Sequence, residues 1–295
     1  MARADLSARL AAIAGDVRHD VLLAALTTLG VGGPAKRVVL PRTIDEMAAV
    51  VQFLRISEEP GMVLGAGSNV LFPDTGYAGT IVLTTAVQGL HVECSSVQVT
   101  CGVRLPALLN HPEVARSQAL DFLAGIPGTV GGAVVTNAGV PGVSIGDVVI
   151  EIHGVDAHGS RIVVPGEACG FRYRGSLLGD SGFVVLAARL DLAGERFDRD
   201  RLLAMRRSTQ PVGKQTAGCV FRNPATASAG SLIERAGLKG LQVGDAEVSP
   251  IHANFIVNNG QAKAAEIRKL IDIVRRKVYK ECRVLLELEI EVVDG

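Results

Sequence analysis

Two segments rich in small residues have the composition of phosphate-binding loops. The first, Gly65 to Leu71 (GAGSNVL), directly follows the apolar run Met62–Leu64, and the second runs from Ala124 to Gly139 (AGIPGTVGGAVVTNAG). Glycines allow successive backbone N–H groups to point into one concavity, and Ser, Thr and Asn side chains add donors. A diphosphate has the charge and the acceptors to use such donors, so together the two segments indicate a nucleotide.

Neither segment matches the two commonest phosphate-binding motifs. No Gly-Lys-Ser or Gly-Lys-Thr occurs, which excludes a P-loop, and Val70 stands where a Rossmann fingerprint beginning at Gly65 needs its third glycine. Either segment alone is better explained by tight turns in which backbone packs against backbone. The indication of a nucleotide therefore depends on the pair.

Composition restricts the partners and the compartment. The 295 residues include 30 basic and 30 acidic side chains without a basic stripe, so we do not expect nucleic-acid binding. The five cysteines form no CxxC pair and the six histidines no metal-ligand spacing, so we predict neither a disulfide framework nor a metal site. No window reaches the roughly 18 apolar residues of a membrane span, so we expect no membrane partner. The odd number of cysteines and the lack of a CxxC pair favour the reducing cytoplasm.

The first sixty residues have the pattern of a βαβ unit. We predict a short Ala/Leu-rich helix over residues 1–26 and a strand at Val38–Leu40 that Pro41 ends. A Thr43-x-x-Glu46 capping box then precedes apolar residues at helical spacing, and the strand Met62–Leu64 follows. This order places the first glycine segment at the end of a strand.

From residue 61 to about 192 the pattern changes to short strands punctuated by glycine. We predict strands at 80–84, 97–103, 148–152 and 183–192, with a hairpin turn at Asp156–Gly159. The charged stretch from 193 to 200 marks a domain boundary. The remaining residues predict a smaller α+β domain, with a helix over 262–280 and a strand over 286–292 whose exposed face carries Glu287, Glu289 and Glu291.

Seven segments in the same order resemble the UDP-N-acetylenolpyruvoylglucosamine reductase (MurB) family, and together they cover residues 27 to 292. Besides Thr28–Ala35 and the two glycine segments, they are Tyr173–Ser176, Gln210–Pro211 with Gly218–Pro224, Gly230–Gly240, and His252–Asn258. The stretch between Arg174 and Pro211 is short and holds no tyrosine. The chain is therefore similar to the shorter subtype of the family, which lacks the tyrosine-bearing loop.

The resemblance implies an α+β fold, with a two-part FAD-binding region of the vanillyl-alcohol-oxidase/PCMH type and a smaller α+β substrate-binding domain. On this plan residues 1–192 form the FAD-binding region, in subdomains of about 1–60 and 61–192, and residues 193–295 the substrate domain. The implied activity is reduction by NADPH of the enolpyruvyl group of a UDP-N-acetylglucosamine ether, through non-covalent FAD, in peptidoglycan precursor synthesis. Oligomeric state stays open, a monomer included.

The resemblance also assigns site residues. It implies that the catalytic residues are Arg174, Cys219 and Glu289, and that Tyr173, Gln210, Arg222 and Asn223 bind the nucleotide sugar. The residues implied to bind the cofactor are Gly65, Ala66, Gly67, Ser68, Asn69, Gly125, Ile126, Gly128, Thr129, Gly132, Ala133, Asn137 and Gly139.

Two positions depart from the family pattern. Cys219 stands where most relatives carry a serine as proton donor, and Leu288 stands where many carry a proline between the two glutamates. A thiol of ordinary pKa, near 8.5, is mostly protonated at pH 7 and can donate its proton. The departures leave two alternatives open, an FAD-linked oxidase on the same fold and an inactive protein that binds a nucleotide sugar.

Overall fold

The structure, a computed structural model, describes residues 2–225 and 227–294. Its chain divides into two compact units, each assembled from separated stretches. The first unit comprises the stretch ending at His19, Lys36–Ala66 and Gly79–Leu203. The second comprises Asp20–Ala35, Gly67–Ala78 and the stretch beginning at Ala204.

These units divide the chain differently from the boundary drawn at residue 193. Two short N-terminal stretches belong to the second unit because they hydrogen-bond to its C-terminal part. The Thr28 hydroxyl donates to the carbonyl of Thr216 at 2.7 Å, and the Asn258 amide donates to the carbonyl of Leu29 at 3.0 Å. Contacts between residues so distant in sequence leave no mark in local composition.

The α-helices of the described residues vary in length from one turn to about five turns. They are α1 (Ala2–Ala14), α2 (Ile44–Ile56), α3 (Leu105–Leu109), α4 (Pro112–Ser117), α5 (Val130–Val135), α6 (Leu177–Asp180), α7 (Arg199–Thr209), α8 (Ala229–Arg235) and α9 (Ala264–Cys282). Within the part of the chain that the structure describes, no helix combines the length and the apolarity needed to cross a bilayer.

The strands are short, as the glycine punctuation predicts. They are β1 (Val17–Leu22), β2 (Pro34–Val39), β3 (Gly61–Leu64), β4 (Val70–Leu71), β5 (Tyr77–Leu83), β6 (Leu90–Glu93), β7 (Ser96–Thr100), β8 (Gly139–Val140), β9 (Val143–Ser144), β10 (Val149–Val155), β11 (Arg161–Pro165), β12 (Val184–Asp191), β13 (Gln242–Val243), β14 (Ala246–Val248), β15 (Ile256–Asn258) and β16 (Glu291–Val292).

The first sixty residues differ from the prediction at two points, since β2 runs over Pro34–Val39 where Val38–Leu40 was predicted, and the N-terminal helix is shorter. The helix predicted over residues 1–26 ends at Ala14, and the strand β1 follows it. Gly15 adopts a left-handed φ of 75°, a conformation that ends a helix readily because glycine has no Cβ. Half of the predicted capping box is present at α2. Thr43 Oγ1 accepts from the Glu46 N–H at 3.0 Å, but the Glu46 carboxylate accepts from the Arg42 N–H at 2.7 Å, one residue before the N-cap.

Two sheets organise the first unit. One has the strand order β1-β2-β5-β3, in which β3 and β5 are parallel and Met62 lies opposite Ile81. The other has the order β11-β10-β12-β7-β6 and is antiparallel, with the predicted hairpin between β10 and β11. The main core of this unit packs α2, α3 and α5 against the second sheet, so the second glycine segment is held by buried apolar residues.

The second unit is built around α9. The helix buries Ile267, Leu270, Ile271, Val274 and Val278 on one face, against α8 and the β13-β14-β15 sheet. Its first turn is capped from far away in sequence, because the carboxylate of Asp74 accepts from the N–H groups of Ala264 at 2.8 Å and Ala265 at 2.9 Å.

Candidate active site

The second glycine segment forms the start of α5 in the first unit. Thr129 is the N-cap, and its Oγ1 accepts from the Gly132 N–H at 3.5 Å. The N–H groups of Val130 and Gly131 donate, each at 2.9 Å, to the carbonyls of Val103 and Cys101. The first N–H groups of the helix therefore already donate to protein acceptors. An anion at this site would have to bind to the residues that precede the helix.

Those preceding residues reach the surface. Gly125 is exposed and Ile126 and Gly128 are half-buried, and both glycines adopt positive φ, 75° and 134°. Gly132 is exposed too, and a Cβ placed on it would have Thr129 Oγ1 as its nearest neighbour, at 3.8 Å. A flat ligand could approach the backbone over Gly132, whereas the predicted cofactor residues Thr129, Ala133 and Gly139 are buried.

The first glycine segment packs closely against other backbone. A Cβ on Gly65 would lie 2.6 Å from Thr129 Oγ1, which brings the two predicted loops together in the first unit. In the second unit, a Cβ on Gly67 would lie 2.1 Å from the carbonyl of Leu26. Both glycines thus serve close packing, while Ala66 and Ser68 are half-buried and border this turn.

Asn69 connects this segment to the predicted catalytic glutamate. Its carbonyl accepts from the Glu291 N–H at 3.0 Å, and its Nδ2 donates to the Glu289 carbonyl at 3.2 Å. The next residues form β4, which pairs in parallel with β16. The side chain predicted to face the cofactor therefore contacts the protein and fixes the position of Glu289.

Arg174 lies at the tip of a tight turn in the first unit. The N–H and C=O groups of Arg172 and Gly175 pair at 2.9 and 3.1 Å, leaving Tyr173 and Arg174 as a two-residue loop. Arg174 has φ 54°, in the left-handed region where glycine is favoured. A non-glycine residue in this strained conformation points to a functional role.

The turn that carries Arg174 is docked on the segment after α5. Asn137, buried and itself at φ 48°, donates from Nδ2 to the Arg172 carbonyl at 3.0 Å and accepts from the Gly146 N–H at 2.9 Å. The Ser176 hydroxyl donates to the Val135 carbonyl at 3.0 Å, and Arg174 Nη1 to the Gly139 carbonyl at 3.4 Å. The structure thus brings the predicted arginine and the predicted cofactor segment together within one unit.

Cys219 and Glu289 lie on paired segments of the second unit. Phe221 forms an antiparallel bridge with Leu288, and the Glu289 N–H donates to the Val220 carbonyl at 2.8 Å. Cys219 itself forms an antiparallel bridge with Phe255, and Gly218 before it adopts a positive φ of 79°. The pairing therefore fixes the proximity of the two backbones.

The predicted strand at 286–292 is regular only at Glu291–Val292, with a single bridge at Leu288. Its alternation is present, because Leu286 and Ile290 are buried whereas Glu287 is exposed and Glu289 half-buried. Desolvation raises the pKa of the Glu291 carboxyl, and it raises the pKa of Tyr77, to which the charge of Glu291 also contributes. By solvent accessibility Glu287 and Glu291 are both exposed, and Glu289 alone of the three is half-buried.

The predicted substrate-binding side chains are accessible. Arg222, Asn223 and Tyr173 are exposed, and Asn223 Oδ1 accepts from the Ala229 N–H at the start of α8, at 2.9 Å. Gln210 Oε1 accepts from Arg206 Nη1 at 3.3 Å. Arg206, one helical turn before Gln210, is a cation that the sequence analysis did not consider.

Asn254 is a second residue that the sequence analysis missed. It lies within the matched segment His252–Asn258, is buried, and hydrogen-bonds to Phe221, two residues from Cys219. One signal was present in the sequence, since a lone amide directly before the apolar run Phe255–Val257 needs a partner when buried.

Family models match most of the chain. Residues 35–164 match an FAD binding domain, and residues 210–293 match the C-terminal domain of UDP-N-acetylenolpyruvoylglucosamine reductase. Two similar proteins carry that reductase name. One, from Moorella thermoacetica, is 40% identical over 296 residues, covering 96% of this chain and 98% of the relative. The other, from Halalkalibacterium halodurans, is 38% identical and covers 95% of both chains.

A solved structure gives the same result for the fold. The crystal structure of UDP-N-acetylenolpyruvylglucosamine reductase from Thermus caldophilus superimposes with a TM-score of 0.78 at 38% identity, covering 95% of this chain and 100% of that one. The similarity spans both the FAD-binding region and the C-terminal domain, which confirms the predicted fold class.

Proposed function

The chain belongs to the UDP-N-acetylenolpyruvoylglucosamine reductase family, and from that premise we propose how its residues reduce an enolpyruvyl group. As a member of this family, the chain is an FAD-dependent oxidoreductase of peptidoglycan precursor synthesis. The proposed reaction converts UDP-N-acetylglucosamine-enolpyruvate to UDP-N-acetylmuramate at the expense of NADPH. The pairing of the Cys219 segment with Glu289 is the observation on which the proposal of roles rests.

The residues around α5 fit a dinucleotide. The exposed backbone at Gly125 and Gly132 admits close approach, and the nearby Gly65–Thr129 contact draws the two glycine segments together. We assign the diphosphate to the backbone N–H groups of Gly125, Gly128 and Thr129. Pro127 has no N–H, and the Ile126 N–H donates to the Leu123 carbonyl at 3.0 Å. When bound, FAD supplies the hydride that adds to C3 of the enolpyruvyl group.

Arg174 is assigned to the substrate carboxylate. Addition at C3 pushes negative charge toward C2 and the carboxylate, and a guanidinium meets a carboxylate with planar, paired donors. The hydrogen bonds from Asn137 to the Arg172 carbonyl and from Ser176 to the Val135 carbonyl anchor the turn that carries Arg174 before substrate binds. Such preorganised charge is a large contributor to rate enhancement.

Cys219 is assigned as the proton donor to C2, with Glu289 as the acid–base group on the neighbouring segment. The half-buried Cys219 thiol supplies a proton where relatives use a hydroxyl. Glu287 is exposed on the same segment as Glu289 and has no proposed role. Arg222, Asn223, Tyr173 and Gln210 are assigned to the nucleotide sugar, whose diphosphate suits the exposed guanidinium of Arg222.

We further propose that the chain acts in the cytoplasm and supports cell shape and division through wall synthesis. Cys94, Cys101, Cys169 and Cys282 are free thiols, which agrees with a reducing compartment. The oxidase and the inactive binding protein are not favoured, because the similar proteins spanning nearly the whole chain carry the reductase name.

The test measures NADPH oxidation by the purified yellow protein with and without the enolpyruvyl nucleotide sugar. We expect oxidation to depend on that substrate, and oxidation at the same rate without it would refute the reductase activity. Cys219→Ser should keep much of the turnover, while Cys219→Ala should lose it and still allow NADPH to bleach the flavin. Glu289→Gln should be impaired far more than the matched Glu287→Gln.

A further inference from the structure

The segment that carries Cys219 and Arg222 pairs with the segment at Leu288 through Phe221 and with Phe255 through Cys219. On the side of Leu288, the Arg222 N–H donates to the Glu287 carbonyl at 2.9 Å and the Val220 carbonyl accepts from Glu289. In this antiparallel geometry the N–H and C=O of Phe221, opposite Leu288, point to the other side. Phe221 is almost fully buried, so both groups need a partner there.

One side chain satisfies both groups. Asn254 Oδ1 accepts from the Phe221 N–H at 3.0 Å, and Asn254 Nδ2 donates to the Phe221 carbonyl at 2.8 Å. The backbone carbonyl of Asn254 also accepts from the Val220 N–H at 2.8 Å. The carboxamide acts here as a neighbouring strand would, and at 3% exposure water does not compete for these bonds.

We propose that Asn254 is a positioning residue of the active site, which sets the location of Cys219 and Arg222 through Phe221. This inference deepens the proposed function, because it rests on the proton-donor role of Cys219. Phe221 lies two residues after Cys219 and directly before Arg222, so a shift of its backbone moves both side chains. A displacement of about 1 Å can lower a rate by about 100-fold.

Asn254→Asp is the sharpest perturbation because it keeps the shape of the side chain. An ionised carboxylate still accepts from the Phe221 N–H, but it turns a lone pair toward the Phe221 carbonyl where the amide donated. When protonated, the new carboxyl can donate again, so acidic pH should partly restore the variant relative to the parent at the same pH. The parent is the reference because His252 also titrates as pH falls. Its Nδ1 accepts from the Asn254 N–H at 3.3 Å, and it lies near the charges of Lys239 and Glu234. Asn254→Ala offers no such recovery.

Asn258 provides a matched control in the same unit. It is 5% exposed, its Nδ2 donates to the Leu29 carbonyl at 3.0 Å, and its Oδ1 accepts from the N–H groups of Gly260 and Ala262 at 2.8 and 3.0 Å. Asn258→Asp thus removes a comparable buried donor that does not contact Phe221. A purely structural effect should weaken both variants alike.

Two measurements on the FAD-loaded protein test the proposal. Stopped-flow should show flavin reduction by NADPH at the parental rate in both variants, and reoxidation by the enolpyruvyl nucleotide sugar slowed about 100-fold in Asn254→Asp only. Recovery of reoxidation as pH falls should appear in Asn254→Asp and not in Asn254→Ala. Parental reoxidation in Asn254→Asp, or equal loss in Asn258→Asp, would overturn the assignment.

The second measurement is independent of turnover. Alkylation of Cys219 by iodoacetamide, followed by mass spectrometry with exposed Cys94 as the internal reference, should change at least several-fold in Asn254→Asp and stay parental in Asn258→Asp. An unchanged Cys219 rate in Asn254→Asp refutes the positioning role even if the parent fails to turn over substrate. Failure of the parent alone to reoxidise would instead refute the proposed function.

Discussion

Replacing Arg174 by glycine should stabilise the turn relative to alanine while both variants lose activity. Arg174 occupies the left-handed region at φ 54° in a two-residue loop closed by Arg172 and Gly175. A turn under selection only for stability would carry glycine there. The arginine is therefore expected to be retained for its guanidinium.

The magnitude follows from backbone strain and chain entropy. The left-handed conformation costs an L-residue about 1–2 kcal/mol, which glycine avoids. Glycine loses more conformational entropy on folding, and this offsets about 0.5–1 kcal/mol of its advantage. Arg174→Gly should therefore exceed Arg174→Ala by about 0.5–1 kcal/mol in free energy of unfolding. In Tm the difference amounts to about 1–3 °C.

The glycine variant is compared with the alanine variant because both lose the same side-chain contacts. Both substitutions remove the Nη1 contact with the Gly139 carbonyl and the stacking of the guanidinium 5.4 Å from the Tyr173 ring centre, so these losses cancel. Because the chain has no tryptophan, unfolding is best followed by far-UV circular dichroism with urea and with heat. Turnover is measured as substrate-dependent oxidation of NADPH.

Both variants should lose turnover by about 100-fold or more, as expected for loss of one preorganised donor to developing charge. An alanine variant as stable as the glycine variant would show that the turn is not strained. A glycine variant that turned over at the parental rate would remove Arg174 from the reaction, whatever its stability.

Three further predictions concern stability and reactivity. Asp74→Ala should lower the free energy of unfolding by about 1 kcal/mol, since it uncaps α9, and urea unfolding at parental stability would contradict this. Burial lowers the pKa of His252 below its ordinary 6.5. The contribution of the neutral imidazole to stability is therefore present above that pH and is lost as pH falls through the folded-state pKa. Tm measured between about pH 5 and 8 should decline on the acid side, and it should decline less in His252→Gln. Burial also raises the pKa of Cys101 to about 12, so iodoacetamide should alkylate exposed Cys94 far faster than Cys101, and equal rates would show that this core opens.

Local patterns predicted the elements that depend on neighbouring residues. The Thr43 N-cap, the amphipathic α9 and the hairpin after β10 were predicted correctly because periodicity and turn chemistry act within a few residues. The predicted strand at 286–292 is longer than the observed one, because its partners are the short segments at Phe221 and β4. Strand length depends on such partners, and the sequence of one strand does not contain them.

The amino-acid sequence alone determined the family, the glycine segments and the types of side chain available for the chemistry. Tertiary structure alone decided which donors those segments use internally, that Arg174 sits in a left-handed turn, and that Asn254 and Asn69 hold the segments carrying Cys219 and Glu289. These are hydrogen bonds and backbone conformations formed between residues far apart in the chain. Their energy depends on burial and approach, which no local pattern of residues records.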